Sequence, residues 1–191
     1  MSLCQPIGRL GKFPRMSFRH MFLAQPTGVS CGVTCLGIAL RLHYKKTFSF
    51  IDLSGLCELD RNGTSIRQLI NAANALGCHA VAQRKGWLGL LKAPLPVIAF
   101  VNYGHFVVIA RSSNGCLLIV DPAIGCRWIT RDQFESISTG IVIELNIPDS
   151  PMLSYSRWHR RLGWKRLLWP AEYLFLRQLA PCEVIQTPDP W

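Results

Sequence analysis

Midway along this chain the apolar residues change their period. Up to Gly77 they recur at helical spacing, and from His79 to Leu145 they come as short β-rich runs cut by turn-forming clusters. A stripe repeating every 3.6 residues does not fit a pleated sheet, and an alternating one does not cover a helix. Residues 32–42 place Val33, Leu36, Ala39 and Leu40 on one helical face. A second helix opens at Gly63-Thr64-Ser65 and runs to about Leu76, with Thr64 or Ser65 as N-cap and Gly77 as its stop. Residues 79–84, 95–101, 105–111, 116–120, 127–130 and 140–145 have strand composition. Between several of them lie Asn102-Tyr103-Gly104, Ser113-Asn114-Gly115 and Pro122-Ala123-Ile124-Gly125, all good turn chemistry. Residues 131–137 are expected to form a short helical insert capped by Thr130. Helices first and a mostly antiparallel sheet second make the expected class α+β.

Length and composition bound what such a fold can do. A chain of 191 residues, 49% hydrophobic and 17% charged, suits one globular domain with extensions. No apolar run approaches the roughly 18–20 residues of a membrane-spanning helix. Arg9, Lys12, Arg15 and Arg19 interrupt the start, so no secretory signal is expected and a cytoplasmic location follows. Eight cysteines at irregular spacing are then expected to be reduced thiols. With no CxxC pair and no histidine cluster, neither a metal nor another cofactor is expected.

The net charge of +10 is unevenly spread. Residues 1–30 hold four basic residues and no acid; residues 151–191 hold six basic residues and three acids. The middle, 31–150, carries 11 basic and 8 acidic residues, a balance of only +3. The expected division is a basic extension at 1–22, a domain at 23–148 and a basic, tryptophan-rich, helical tail at 149–191.

Within the domain, four residues form a chemically coherent set: Gln25, Cys31, His105 and Asp121. Cys31 stands where a turn meets a helix, so unpaired N–H groups and the positive dipole end favour its thiolate. Gly32 beside it is expected to let a substrate backbone approach. Cys35, one turn on, falls nearer the apolar stripe and is expected to be a core residue. His105 heads an apolar strand just after a glycine turn, and Asp121 ends the following strand. Counted outwards from Asn114-Gly115, the two are nearly cross-strand neighbours, close enough for the carboxylate to hold the Nδ1–H of the imidazole. Gln25, six residues before Cys31, has an amide that can join the Cys31 backbone N–H at a developing oxyanion.

In this order these residues resemble the C39 peptidase family of papain-like cysteine proteases. The resemblance runs from Gln25 through Ser30-Cys31-Gly32-Val33-Thr34-Cys35-Leu36, Gly63-Thr64-Ser65, Gly104-His105-Phe106-Val107-Val108 and Asp121-Pro122 to about Leu145. Ser30 departs from it, occupying a position that is often Asp. The resemblance implies Cys31 as nucleophile, His105 as general base and later acid, Asp121 as its orienter and Gln25 as oxyanion donor. It also implies a peptide precursor as substrate, cut after a double-glycine leader motif, and an ABC exporter of bacteriocin-like peptides as partner. No transmembrane bundle and no GxxxxGK[ST] phosphate loop occur in the sequence, so the peptidase is expected to stand alone and meet its exporter in trans.

Residues 157–169 combine five cations with three tryptophans, a composition suited to the inner membrane surface or a membrane-bound partner. Nothing matches a nucleic-acid module. Two other functions fit the sequence. One is a non-catalytic leader-binding module, which the presence of Cys31 argues against. The other is a papain-like thiol hydrolase or acyltransferase with a non-peptide substrate.

Overall fold

The computed structural model describes residues 23–44 and 48–146. The extension 1–22, the tail 149–191 and its candidate membrane segment 157–169 lie outside the described residues. Along the chain come α1 (Cys31–Tyr44), α2 (Phe50–Leu56), α3 (Ile66–Ala75), β1 (His79–Arg84), α4 (Trp87–Leu91) and β2 (Val97–Val101). They are followed by β3 (His105–Ser113), β4 (Cys116–Asp121), β5 (Gly125–Ile129), α5 (Arg131–Ile137) and β6 (Ser138–Asn146). The six strands form one sheet in the order β1-β6-β2-β3-β4-β5, each neighbour antiparallel. This is the expected α+β arrangement.

The sheet separates two apolar clusters. On one face Ile98, Phe106, Val108, Leu118, Val120 and Ile143 pack with α1, α2 and α3. On the other, Val97, Val107, Ile109, Leu117, Ile119 and Val142 pack with α4 and α5, where Trp87 and Phe134 meet at a centroid distance of 5.9 Å. Alternation along each strand produces both faces from a single run, as at Phe106, Val107, Val108 and Ile109.

The first helix differs from expectation. Every residue from Cys31 to Leu40 is buried, so α1 is a core helix covered on all sides rather than an amphipathic one. Gly32 serves this packing. A Cβ there would come within 3.2 Å of Phe106 and 3.3 Å of Leu69. The glycine lets β3 and α3 close on the helix start. Truncating a fully buried residue of this helix, such as Leu36→Ala, is expected to cost about 2–5 kcal/mol.

Local chemistry fixes the other boundaries. Ser65 and Thr130 each make a capping box, with Gln68 and Gln133 respectively, at the starts of α3 and α5. Asn114 and Gly115 both have positive φ, 50° and 70°, as a two-residue hairpin whose twist matches its strands requires. The register between β3 and β4 then shifts between Ile109 and Arg111, a β-bulge at Ala110.

Candidate active site

Cys31 is the first residue of α1, and the turn before it is closed by its own hydrogen bonds. The Ser30 hydroxyl donates to the Thr27 carbonyl at 2.8 Å and accepts from the Thr27 N–H at 3.1 Å. It is thereby engaged backwards, away from the helix start. In the first turn of α1 the Gly32 N–H meets the thiol, and no acidic side chain sits in that turn.

The surroundings of Cys31 decide its protonation. Burial pushes the thiol up. A hydrogen bond from His105, the backbone N–H of Phe106, the charge of His105 and the N–H of Gly32 together outweigh it and leave the thiol below its ordinary value. The other buried thiols behave oppositely. Burial holds Cys35 well above the usual range, and its Sγ donates to the Phe106 carbonyl at 3.2 Å, the core role expected for it. Burial also raises Cys57 to about 12 and raises Cys78. One strand residue, Phe106, thus treats two cysteines in opposite ways: its N–H favours the thiolate of Cys31 and its carbonyl the thiol of Cys35.

His105 begins β3, directly after Tyr103 and Gly104, both in the left-handed region with φ of 62° and 71°. Its Nε2 lies 2.9 Å from Asp121 Oδ1. This corrects the sequence expectation, in which Nδ1 faced the carboxylate. With Nε2 held by Asp121, Nδ1 is the nitrogen left for Cys31. The hydrogen bond to Asp121 is the largest influence on His105, followed by that to Cys31; against desolvation they raise its pKa to about 9. Asp121 is itself buried at the end of β4, and its Oδ1 also accepts the Ala123 N–H at 2.9 Å. The carboxylate is therefore fixed from two sides. A lowered thiol beside a raised imidazole shifts the pair towards thiolate and imidazolium.

Gln25 joins the group from the segment ahead of α1. Its backbone N–H donates to the Pro122 carbonyl at 3.1 Å, tying it to the residue after Asp121, and its Oε1 is buried without a hydrogen-bond partner among the described residues. No spacing in the sequence announces the Gln25–Pro122 bond, because its ends are far apart along the chain.

Two cavities lie near the start of β3. One, of about 590 Å³, lies between the loop before α3 and the ends of β2 and β3, lined by Gly63, Thr64, Ser65, Phe100, Gly104 and Phe106. Gly63, at a φ of 95°, packs so closely on the turn before Cys31 that a Cβ would sit 3.1 Å from the Val29 carbonyl. The other, of about 370 Å³, includes Gln25, His105 and Asp121 in its wall. Among the described residues no cluster of three or more potential metal ligands occurs, and no helix is long and apolar enough to cross a membrane.

With this geometry in view, the comparisons with known proteins are specific. A model of the Peptidase C39 family matches residues 19–150. Protein MTBMA_c00490 of Methanothermobacter marburgensis is 33% identical over 127 residues, which are 65% of this chain and 87% of that protein. The probable microcin-H47 secretion/processing ATP-binding protein MchF of Escherichia coli is 28% identical over 123 residues, 63% of this chain; the chain spans only 17% of its length. Among solved structures, a double-glycine-motif protease of an AMS/PCAT transporter, in complex with its leader peptide, aligns with a TM-score of 0.62 and 27% identity, covering 66% of this chain and 91% of that one. The fold is that of these peptidase domains, papain-like, with helices packed on an antiparallel sheet.

Proposed function

This chain belongs to the C39 peptidase family, and from that premise we propose that it is a cysteine endopeptidase that removes the leader of a secreted peptide precursor after a pair of small residues. The observation that carries the proposal is the chain of contacts from Cys31 to His105 to Asp121. A buried carboxylate holds an imidazole whose other nitrogen serves a thiol with a depressed pKa.

In this account the Cys31 thiolate attacks the carbonyl carbon of the residue before the scissile bond, and a C–S bond forms. The carbonyl oxygen becomes an oxyanion, met by the Cys31 backbone N–H and the Gln25 amide. The imidazolium of His105 gives its proton from Nδ1 to the departing nitrogen, the C–N bond breaks, and the downstream peptide leaves with a free amine. Neutral His105 then takes a proton from water, and the resulting hydroxide attacks the thioester. The leader departs as a carboxylic acid that gives its proton to solvent, and the thiolate is restored. Asp121 accepts the Nε2–H throughout and keeps the ring oriented.

The leader substrate is supported by the processing function in the name of the E. coli relative and by the leader peptide bound in the related protease structure. Action apart from a fused exporter is supported by the short M. marburgensis relative, covered over 87% of its length; the exporter met in trans is part of the proposal. The test is incubation with synthetic precursors containing a Gly-Gly pair, followed by mass spectrometry of the products. We expect a single cut after the second glycine. Cleavage elsewhere contradicts the substrate assignment, and no cleavage of any precursor contradicts the activity.

A further inference from the structure

The cavity of about 370 Å³ beside His105 touches the acyl half of this mechanism only through Gln25. It is lined by Gln25, His105 and Asp121 together with an apolar floor of Val101, Ile119 and Ile137. The larger cavity instead meets Gly104 and Phe106, the neighbours of His105 on either side, and the loop packed on the turn before Cys31. His105 therefore stands between them. The imidazole must face the departing nitrogen to protonate it, so the cavity that includes the imidazole itself lies on the leaving-group side. The cavity that borders the Cys31 turn lies on the acyl side.

We propose that this second cavity is a specificity site for the segment downstream of the cut, and that it takes a large aliphatic or aromatic side chain among the first residues of the released peptide. The inference rests on the cleavage proposed above. Its volume, at the lower end of the roughly 300–1,000 Å³ of ligand pockets, suits one large side chain with some neighbouring backbone. The floor residues Val101 and Ile119 are buried and belong to the rigid apolar layer under the sheet, so the site is preformed. Its mouth carries an unusual feature. Tyr103 is fully exposed and sits at a φ of 62°, where a side chain is disfavoured by about 1–2 kcal/mol. A strained, wholly solvated aromatic two residues from the acid–base histidine is otherwise unexplained by packing, and such outliers gather where a chain meets its ligand. Tyr103 here forms the outer wall against the departing segment.

The experiment is cleavage of a peptide library by the full chain, with the residues on both sides of every cut read by mass spectrometry. Three proteins are compared: wild type, Ile137→Trp, which fills the cavity, and Tyr103→Ala, which strips an exposed side chain and so spares the core. In wild type, Leu or Phe in the first two downstream positions is expected to raise kcat/KM by about tenfold over Gly or Asp. That preference should vanish in Ile137→Trp and shrink about threefold in Tyr103→Ala, with the upstream preference unmoved in both. Cuts after paired small residues with a flat downstream profile, or a downstream preference that both variants retain, overturn this inference alone. A downstream preference that responds to the variants while the upstream residues are not small supports this site and overturns the leader assignment. Absence of cleavage in all three proteins contradicts both.

Discussion

His105 Nε2 meets Asp121 Oδ1 at 2.9 Å, although the two residues are not opposite each other in the sheet. Val108 pairs with Val120, so Asp121 falls across from Val107, two positions from His105 and on the same face. The bulge at Ala110 makes this so. From the Ser113–Cys116 pair at the hairpin, an unbroken ladder would put Asp121 opposite Val108, and its side chain on the opposite face from His105. One extra residue in β3 therefore brings the His105 imidazole and the Asp121 carboxylate together, a diagonal contact across the ladder.

Asp121→Asn keeps the shape of the orienter and removes its charge. The active pair needs a deprotonated thiol and a protonated imidazole, so its alkaline limit follows His105, at about 9. Asp121 is the largest cause of that elevation. Its loss should bring the alkaline limb of kcat/KM down towards the ordinary histidine value of about 6.5. His105→Ala should cost about 10²–10⁴-fold in kcat, and Asp121→Asn less. A pH–rate profile unchanged in the asparagine variant contradicts the assignment.

The two cysteines of α1 should react at very different rates. Cys31 is lowered and Cys35 raised, so iodoacetamide at pH 7 should label Cys31 first and leave Cys35 unmodified in the folded protein. Both fall in one tryptic peptide, and fragmentation by tandem mass spectrometry locates the adduct. Equal labelling contradicts the electrostatics described.

Gln25→Ala should lower kcat by about 10²–10³-fold with little change in KM, because in the proposed mechanism the amide acts on charge that develops only in the transition state. Steady-state kinetics on one precursor separates the two constants. A loss confined to KM assigns Gln25 to ground-state binding instead.

Away from the site, Thr130→Ala removes the cap of α5 and its reciprocal bond with Gln133. Urea unfolding should show a loss of about 1 kcal/mol. The Cys31–His105–Asp121 contacts do not involve Thr130, so their pH dependence should not move.

Much of this was legible in the sequence where local chemistry sets the outcome. Thr130 as a cap, Gly77 as a stop, Asn114-Gly115 as a hairpin and the six strands all depend on neighbours within a few residues. The helices α2 and α4 were not anticipated: at seven and five residues they are too short to show a period, and each contains a glycine. The full burial of α1 and the packing role of Gly32 depend on Phe106 and Leu69, which the sequence does not place. Within the site, the order of Gln25, Cys31, His105 and Asp121 was readable. Which imidazole nitrogen faces Asp121, and the bond fixing Gln25 to Pro122, follow only from the assembled fold.

In the proposed function Cys31 is the nucleophile of a peptide-cleaving site. That role is tested most directly by comparing wild type and Cys31→Ala on one Gly-Gly precursor, with unfolding curves of both proteins recorded alongside. Wild type should cut after the paired glycines, and the alanine variant should fold with a similar midpoint and yield no product. Processing by the folded alanine variant at the wild-type rate would contradict that role.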